Sequence, residues 1–514
     1  MRWPLASDYK DYIVGRPLKT HSADVMVRTG SALPQFGNVA TAPRLPRTSG
    51  VTSQAAQWNP ELTNPIRRLA FYASLGLIFL RYSLLHEVFA HYLGTSPFIL
   101  YVLAVPALLG MAGSGGIQRT LASPQGKYWM GFIFWFMLAV PFSTWKGESF
   151  NYAVDYLRTD MPMLFIMAGL ALSWQECRAM LYTIAIAGIS NIAISLLITK
   201  SFGGRSGLEY GIVSNPNDYA GHLLFILPII LFLLVRPPGR LGSPIRFVAR
   251  IAAITGILTG LFIVLMTGSR GGFIALAVGV VYLLWKSSTP VRIGVLIGAP
   301  LLFLVLFAAL PAPVRNRLQS ITTGQKDSTP TTDEAEESAR LRRFLLDESV
   351  RISFMRPLFG VGPGQFGNFE GRAALWRSTH NSFTQISAEC GIPGELFFLA
   401  AIFSSFLLLR KTGKQAKFNP QFREIEVACY CLALSFLVFC TAIFFLNFAY
   451  FFYLPAATGL AVVVGAAAQR EFALARNQER RVAPVAPQIA TSRATVPAPA
   501  PAKAERAVRF NGYR

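Results

Sequence analysis

Residues 249–285 read ARIAAITGILTGLFIVLMTGSRGGFIALAVGVVYLLW. Two apolar runs, 249–267 and 271–285, flank a Thr267-Gly268-Ser269-Arg270-Gly271-Gly272 turn, and Arg250 and Arg270 are the only charges in the stretch. A helix of roughly 20 apolar residues matches the ~30 Å hydrocarbon layer of a bilayer. Lipid offers no partner for a free backbone N–H or C=O, so each run must close its hydrogen bonds within a helix. The stretch therefore reads as a transmembrane helical hairpin with an arginine at its tip.

The pattern recurs along the 514 residues, at approximately 68–88, 97–113, 128–144, 158–174, 178–199, 218–235, 249–267, 271–285, 293–312, 382–409, 425–447 and 452–468. The expected fold is all-α, a polytopic integral membrane protein with about 12 transmembrane helices. Composition agrees. Hydrophobic residues make up 53% and charged residues 14%, against about 25% charged in soluble domains, and mean hydropathy is +0.42. Soluble globular classes are excluded.

A net charge of +22 would suit a nucleic-acid binder, but the basic residues follow the loops. With both tails placed inside, the short inner loops carry fourteen Lys or Arg and the outer ones five. That is the positive-inside asymmetry of an even number of spans, and no nucleic-acid partner is expected. Residues 1–67 are polar, interrupted by Pro and Gly, and lack an early apolar core; they are expected to be a disordered cytoplasmic tail and not a cleavable signal peptide. Residues 470–514, with VAPVAP and VPAPAPAKA runs, are expected to be an extended Ala/Pro-rich basic tail. Between them lie spans one to nine (68–312), one large external loop (313–380) and spans ten to twelve (381–469). The five cysteines, Cys177, Cys390, Cys429, Cys431 and Cys440, have no zinc-ligand spacing and require no disulfide. No metal or cofactor is expected.

The external loop is where function is expected, because a connection of that length in a compact protein is functional or disordered. Its first part, GQKDSTPTTDEAEES, reads as polar and mobile. The next, ARLRRFLLDESVRISFMRPLFGVGPGQFGNF, has helical apolar spacing followed by a Gly/Pro-rich turn, so an external helix across the mouth of the bundle is expected. On the predicted topology, four stretches reach that face. They are Gly204-Arg205-Ser206-Gly207 with Asn215-Pro216-Asn217; the Thr267–Gly272 turn; Arg340-Leu341-Arg342 with Pro357–Gly364; and Thr379-His380-Asn381-Ser382 leading into Glu389 and Gly391.

Arg270 in its glycine-flanked turn is the first candidate for an anion ligand, since a guanidinium can bond phosphate oxygens in bidentate fashion. The plainer reading is that it snorkels to the interface or caps the preceding helix. Arg205 alone reads as structural. His380, at the start of an apolar span, could take a proton from an alcohol near neutral pH, or serve as a polar cap. Glu389, nine residues on, could orient a partner or bind an acceptor, as could Asn381, or Glu389 could pair with a loop arginine. His222 lies inside a span, where a buried hydrogen bond is its plainer role, and nothing places His86 and His91 near the others. GVGPGQFG lacks the GK[ST] ending and preceding strand of a nucleotide loop.

NPNDYAGHLL, TGSRGGFIAL, RPLFGVGPGQF and THNSFTQISAECGIPGELFFL, in that order and with the longest external loop before the last, resemble the bacterial O-antigen ligase and O-antigen polymerase superfamily over roughly Arg205–Leu409. The resemblance implies a metal-independent, GT-C-like membrane glycosyltransferase of the bacterial inner membrane, with its active site and large loop periplasmic and both termini cytoplasmic. It implies transfer of an oligosaccharide from undecaprenyl diphosphate to a glycan or lipid A core acceptor, in O-antigen or exopolysaccharide synthesis. Carried over by motif, His380 activates the acceptor hydroxyl, and Arg205, Arg270 and Arg340 or Arg342 bind the diphosphate. The alternative is a transporter or flippase of lipid-linked sugars, which would place ionisable residues or broken helices near the midplane, in repeated halves. No internal repeat is found.

Overall fold

A computed structural model describes residues 60–95, 98–198, 200–202, 205–208, 211–239, 242–323, 330–371 and 377–482. The predicted tails therefore lie largely outside the described residues. What is described of each is mainly helical: Pro60–Thr63 and the start of Pro65–Ser83 fall within the predicted N-terminal tail, and the last helix, Tyr453–Val482, continues past residue 470 without a break.

Among the described residues every predicted span falls mainly on helix, but only some of these helices are long and apolar enough to count as spans. Among the described residues six helices are long and apolar enough to cross a membrane, or up to eight if the bent pairs Pro65–Ser83 with Leu85–Leu93 and Ile99–Gly113 with Gly116–Ala122 each count as one span. The remaining apolar runs fall short of that test for visible reasons. Pro124–Ala139 and Arg270–Lys286 have 16 and 17 residues, and Tyr453–Val482 turns charged in its second half. The predicted span 158–174 is broken, with Lys146–Thr159 ending just before Asp160 and Pro162–Leu170 starting just after it. The break is stabilised because Asp160 takes Arg81 at 2.9 Å and the backbone N–H of Phe452 at 3.1 Å. One departure from an all-α fold is a two-stranded antiparallel hairpin, Lys200–Phe202 with Arg205–Gly207, around the Gly203-Gly204 sequence.

Pro216–Val235 is buried over most of its length and packs against Arg423–Ala442, Trp174–Ile198 and Ser243–Met266. Thr289–Ala308 is the opposite case. None of its residues is buried, and Leu296, Ile297, Leu301, Leu304 and Val305 are all largely exposed. A row of bare aliphatic side chains costs free energy in water and none against lipid chains, so this is the surface of a membrane protein.

Three helices begin at the same end of the bundle behind a polar cap. Asn215 accepts from the N–H of Asn217, Ser269 from that of Gly272, and Asn381 from those of Phe383 and Thr384. Each cap satisfies N–H groups that a helix start leaves open. The motifs legible in the sequence are thus helix starts gathered at one end.

In the region 313–380 the structure has helices Ala312–Thr323, Pro330–Met355 and Phe366–Glu370. The expected helix is present and is longer than predicted, since the acidic stretch from Pro330 onward forms its first turns and not a mobile segment. Leu345 and Ile352 pack with Val361, Phe366 and Ala388 in a small core of their own, and Ser353 bonds Ser387 at 2.8 Å. The helix therefore lies on the start of Ser382–Lys417.

Candidate functional site

Arg205 ties two of the motifs together. From the hairpin its Nε donates to the Thr267 carbonyl at 2.7 Å and its Nη2 to Asn217 Oδ1 at 3.0 Å, while Asn217 Nδ2 donates to Asn215 Oδ1 at 3.0 Å. The end of Ser243–Met266 and the start of Pro216–Val235 are clasped by one guanidinium. Arg270 follows as the first residue of its helix. Gly271 serves packing: a Cβ there would lie 2.8 Å from the Phe445 side chain, so its absence lets the helix start press onto the end of the Pro420–Phe445 span.

Two arginines of the Pro330–Met355 helix fitted the predicted role, and the structure separates them. Arg340 is exposed, whereas Arg342 is half-buried. Burial lowers the proton affinity of Arg342 below the usual range and the charge of Arg270 lowers it further, while Asp218 opposes the shift. Arg342 is thus close enough to feel both Arg270 and Asp218.

His380 also faces Arg342. Burial first, then the charges of Arg342 and Arg377, push its pKa down to about 4, so the ring is neutral and able to accept a proton at pH 7. It lines a cavity of about 440 Å³ with Asn215, Arg377 and Ser378. Its backbone is held at φ 53°, uncommon for a residue with a side chain. Asn381, the neighbouring candidate, spends its side-chain oxygen on capping the helix.

Glu389 is placed differently from what its spacing suggested. Its carboxylate accepts from the N–H of Gly364 at 3.0 Å and of Phe366 at 3.3 Å. The Val361 and Gly362 N–H groups donate to the Ala388 and Glu389 carbonyls, each at 2.9 Å, and that of Ile392 to the Pro357 carbonyl at 2.8 Å. Trp135 Nε1 donates to the Leu358 and Cys390 carbonyls, both at 3.0 Å. These bonds repair a break: Gly391, at φ 73° and ψ 175°, interrupts Ser382–Lys417, and the 357–366 turn takes up the groups the break exposes. The amides of GVGPGQFG that a phosphate would need are engaged by the helix and its carboxylate.

His222 makes the buried bond expected of it, Nδ1 to the Tyr453 hydroxyl at 2.7 Å. His86 Nδ1 bonds the Leu80 carbonyl at 3.0 Å. All five cysteines are free thiols, and among the described residues no three His, Cys, Asp or Glu converge as metal ligands. Three residues of the site escaped the sequence reading. Arg377 stands three places before His380 and lines the same cavity, a proximity that spacing could have flagged. Asp218 lies within the NPND motif, unremarkable until Arg342 meets it. Asn447, whose Nδ2 comes to 3.5 Å from His380 Nδ1, sits at the end of an apolar run and left no sequence signal.

Residues 254–399 match a family model described as O-antigen ligase; no curated protein matches the chain. The matched segment includes Arg270, Arg342, Arg377, His380 and Glu389.

Proposed function

We propose, from the place of residues 254–399 in the O-antigen ligase/polymerase superfamily, that this membrane protein transfers glycan from undecaprenyl diphosphate to an acceptor hydroxyl at the periplasmic face of the inner membrane. The family match supports the coarser statement, an O-antigen-ligase-like enzyme of surface polysaccharide synthesis. The observation that carries the finer one is the electrostatics of the site: Arg342 is near enough to be perturbed by Arg270 and to perturb His380, with Asp218 the carboxylate opposing it. Like charges gathered in a partly buried place favour an anionic ligand. A diphosphate diester, anionic at each phosphorus, is such a partner.

In this reading Arg270 and Arg342 hold the diphosphate, Arg205 fixes the two helix ends beside it, and Glu389 and Asn381 build the scaffold under His380. His380 takes the proton of the acceptor hydroxyl, whose oxygen attacks the anomeric carbon. The bond to the diphosphate breaks, the leaving group keeps the electron pair, and the configuration inverts. Preorganised guanidinium groups stabilise the charge that grows on that leaving group, the work a metal ion performs in other transferases. The positive-inside count supports cytoplasmic termini.

The test is direct. Purified protein, given the lipid fraction extracted from cells that lack it, forms a new glycosidic bond and releases undecaprenyl diphosphate without any ion gradient. A flippase would form no such bond. Arg270→Ala weakens binding of the lipid diphosphate by about 10- to 100-fold, the weight of one lost charge-assisted contact, and Arg270→Lys recovers part of it. Unchanged binding in Arg270→Ala would remove that residue from the donor site.

A pH signature follows from His380. In the free enzyme burial first, and then the charges of Arg342 and Arg377, hold its pKa down at about 4. A bound diphosphate offsets those charges, so the pKa rises in the complex. The acid limb of kcat therefore lies at higher pH than the acid limb of kcat/KM. Coincident limbs would mean that donor and imidazole do not share the arginines.

A further inference from the structure

Asn447 lies just past the Pro420–Phe445 span, and both of its neighbours are pinned to one hydroxyl. Ser382 Oγ donates to the Leu446 carbonyl at 2.7 Å and accepts from the Phe448 N–H at 2.8 Å. Ser382 follows His380 by two residues, so amide and imidazole are referenced to the same anchor. The Asn447 Nδ2 donates to Ser378 Oγ and also lies 3.5 Å from His380 Nδ1. Its Oδ1 is buried and makes no hydrogen bond among the described residues.

A carboxamide can present either its oxygen or its nitrogen to these neighbours, because a half-turn exchanges the two with almost no change of shape. With nitrogen toward the ring, the Nδ1 lone pair is occupied and Nε2 carries the proton, so the ring can only donate from its other side. With oxygen toward the ring, one acceptor serves both the Ser378 O–H and an Nδ1–H, and Nε2 keeps its lone pair. We propose that Asn447 is a positioning residue for His380, its amide oxygen accepting from Nδ1–H and so making Nε2 the nitrogen that receives the acceptor's proton. This rests on the reading of His380 as the general base. The strained φ of His380 fits a ring held where the chain alone would not place it.

The charged groups facing the ring are Arg377 from its own segment and Arg342 from the Pro330–Met355 helix, with Arg270 and Asp218 facing Arg342 in turn. Asn447 adds no charge, so its effect runs through the hydrogen bond. Transfer is assayed with the same lipid extract. Asn447→Ala lowers kcat by about 10- to 100-fold, the usual loss when a group that orients a functional histidine is removed, and leaves KM for the donor in place. Asn447→Asp can only accept, so it retains more activity than Asn447→Ala and moves the acid limb of kcat/KM upward. A second measurement needs no glycan: the pH dependence of His380 modification by diethyl pyrocarbonate, read on its peptide by mass spectrometry, shifts upward in Asn447→Asp. Ser378→Ala is the milder probe, and lowers kcat by less than Asn447→Ala.

Parental kcat and pH profile in Asn447→Ala or, should the Asn447 variants not fold, in Ser378→Ala would overturn the assignment. So would an Asn447→Asp protein no more active than Asn447→Ala with an unmoved modification profile, since that pattern belongs to the amide N–H facing the ring. Full transfer by His380→Ala would instead remove the base itself. A dead His380→Ala beside a fully active Asn447→Ala removes the positioning role alone.

Discussion

His380→Ala is expected to slow glycan transfer by roughly 10²- to 10⁴-fold, the usual contribution of positioned base catalysis, while the lipid-linked donor still binds. The separation of the two effects follows from the geometry. The imidazole lines the cavity beside Asn215, Arg377 and Ser378, whereas the charges proposed to hold the diphosphate belong to Arg270 and Arg342. Truncating the ring removes a proton acceptor and leaves those cations in place. Donor binding is read from retention of radiolabelled lipid diphosphate on the purified variant, and transfer from the glycosylated product by mass spectrometry. Near-parental transfer would sink the base role, and loss of binding together with transfer would mean that His380 supports the cavity's shape instead. His380→Gln keeps polarity and bulk without basicity and is expected to be as slow as His380→Ala, which excludes a purely steric account.

Gly391→Ala should be severely damaging for a change of a single methyl group. The residue sits at φ 73°, and a Cβ there would lie 2.1 Å from the Leu358 carbonyl oxygen. With ψ at 175° this is a region populated essentially only by glycine, and the conformation alone costs an L-residue on the order of 1–3 kcal/mol. The clash adds to it, because the neighbour is backbone and cannot rotate away. Relief requires the 357–366 turn to leave the helix break, exposing the bonds from Val361, Gly362 and Ile392 and the two amides on Glu389. A loss above about 3 kcal/mol is expected, in the range set by backbone strain plus a broken buried network, with transfer lost as His380 shifts. The readout is the thermal unfolding midpoint in detergent beside transfer activity. Gly294→Ala is the control, since it is helical and nothing lies within 4 Å of its added methyl; it should leave both unchanged. Parental stability in Gly391→Ala would show that the turn does not depend on the break.

What the sequence conveyed and what it withheld divide along one line. The apolar runs announced helices and a bilayer because lipid leaves the backbone a single local solution, legible residue by residue. Span counting was less secure where caps and carboxylates intervene, as at Asp160, whose partners Arg81 and Phe452 are distant in the chain. The motifs themselves were legible, but several of their purposes were not. GVGPGQFG lacks the marks of a nucleotide loop, but nothing in its residues tells that its amides are spent on a broken helix. Gly271 flanks Arg270 in the sequence, and only the packing shows that its missing side chain makes room for Phe445.

By itself the sequence determined that this chain is a bundle of membrane helices with arginines and a histidine at one set of helix ends. The tertiary structure alone decided which of them meet: Arg342 and not Arg340 beside Arg270 and Asp218, and Asn447 against His380. Helix formation depends on neighbours a few residues away, and so is written in the order of the chain. A guanidinium's or an imidazole's partners are set by packing between helices far apart in that order, which no local pattern encodes.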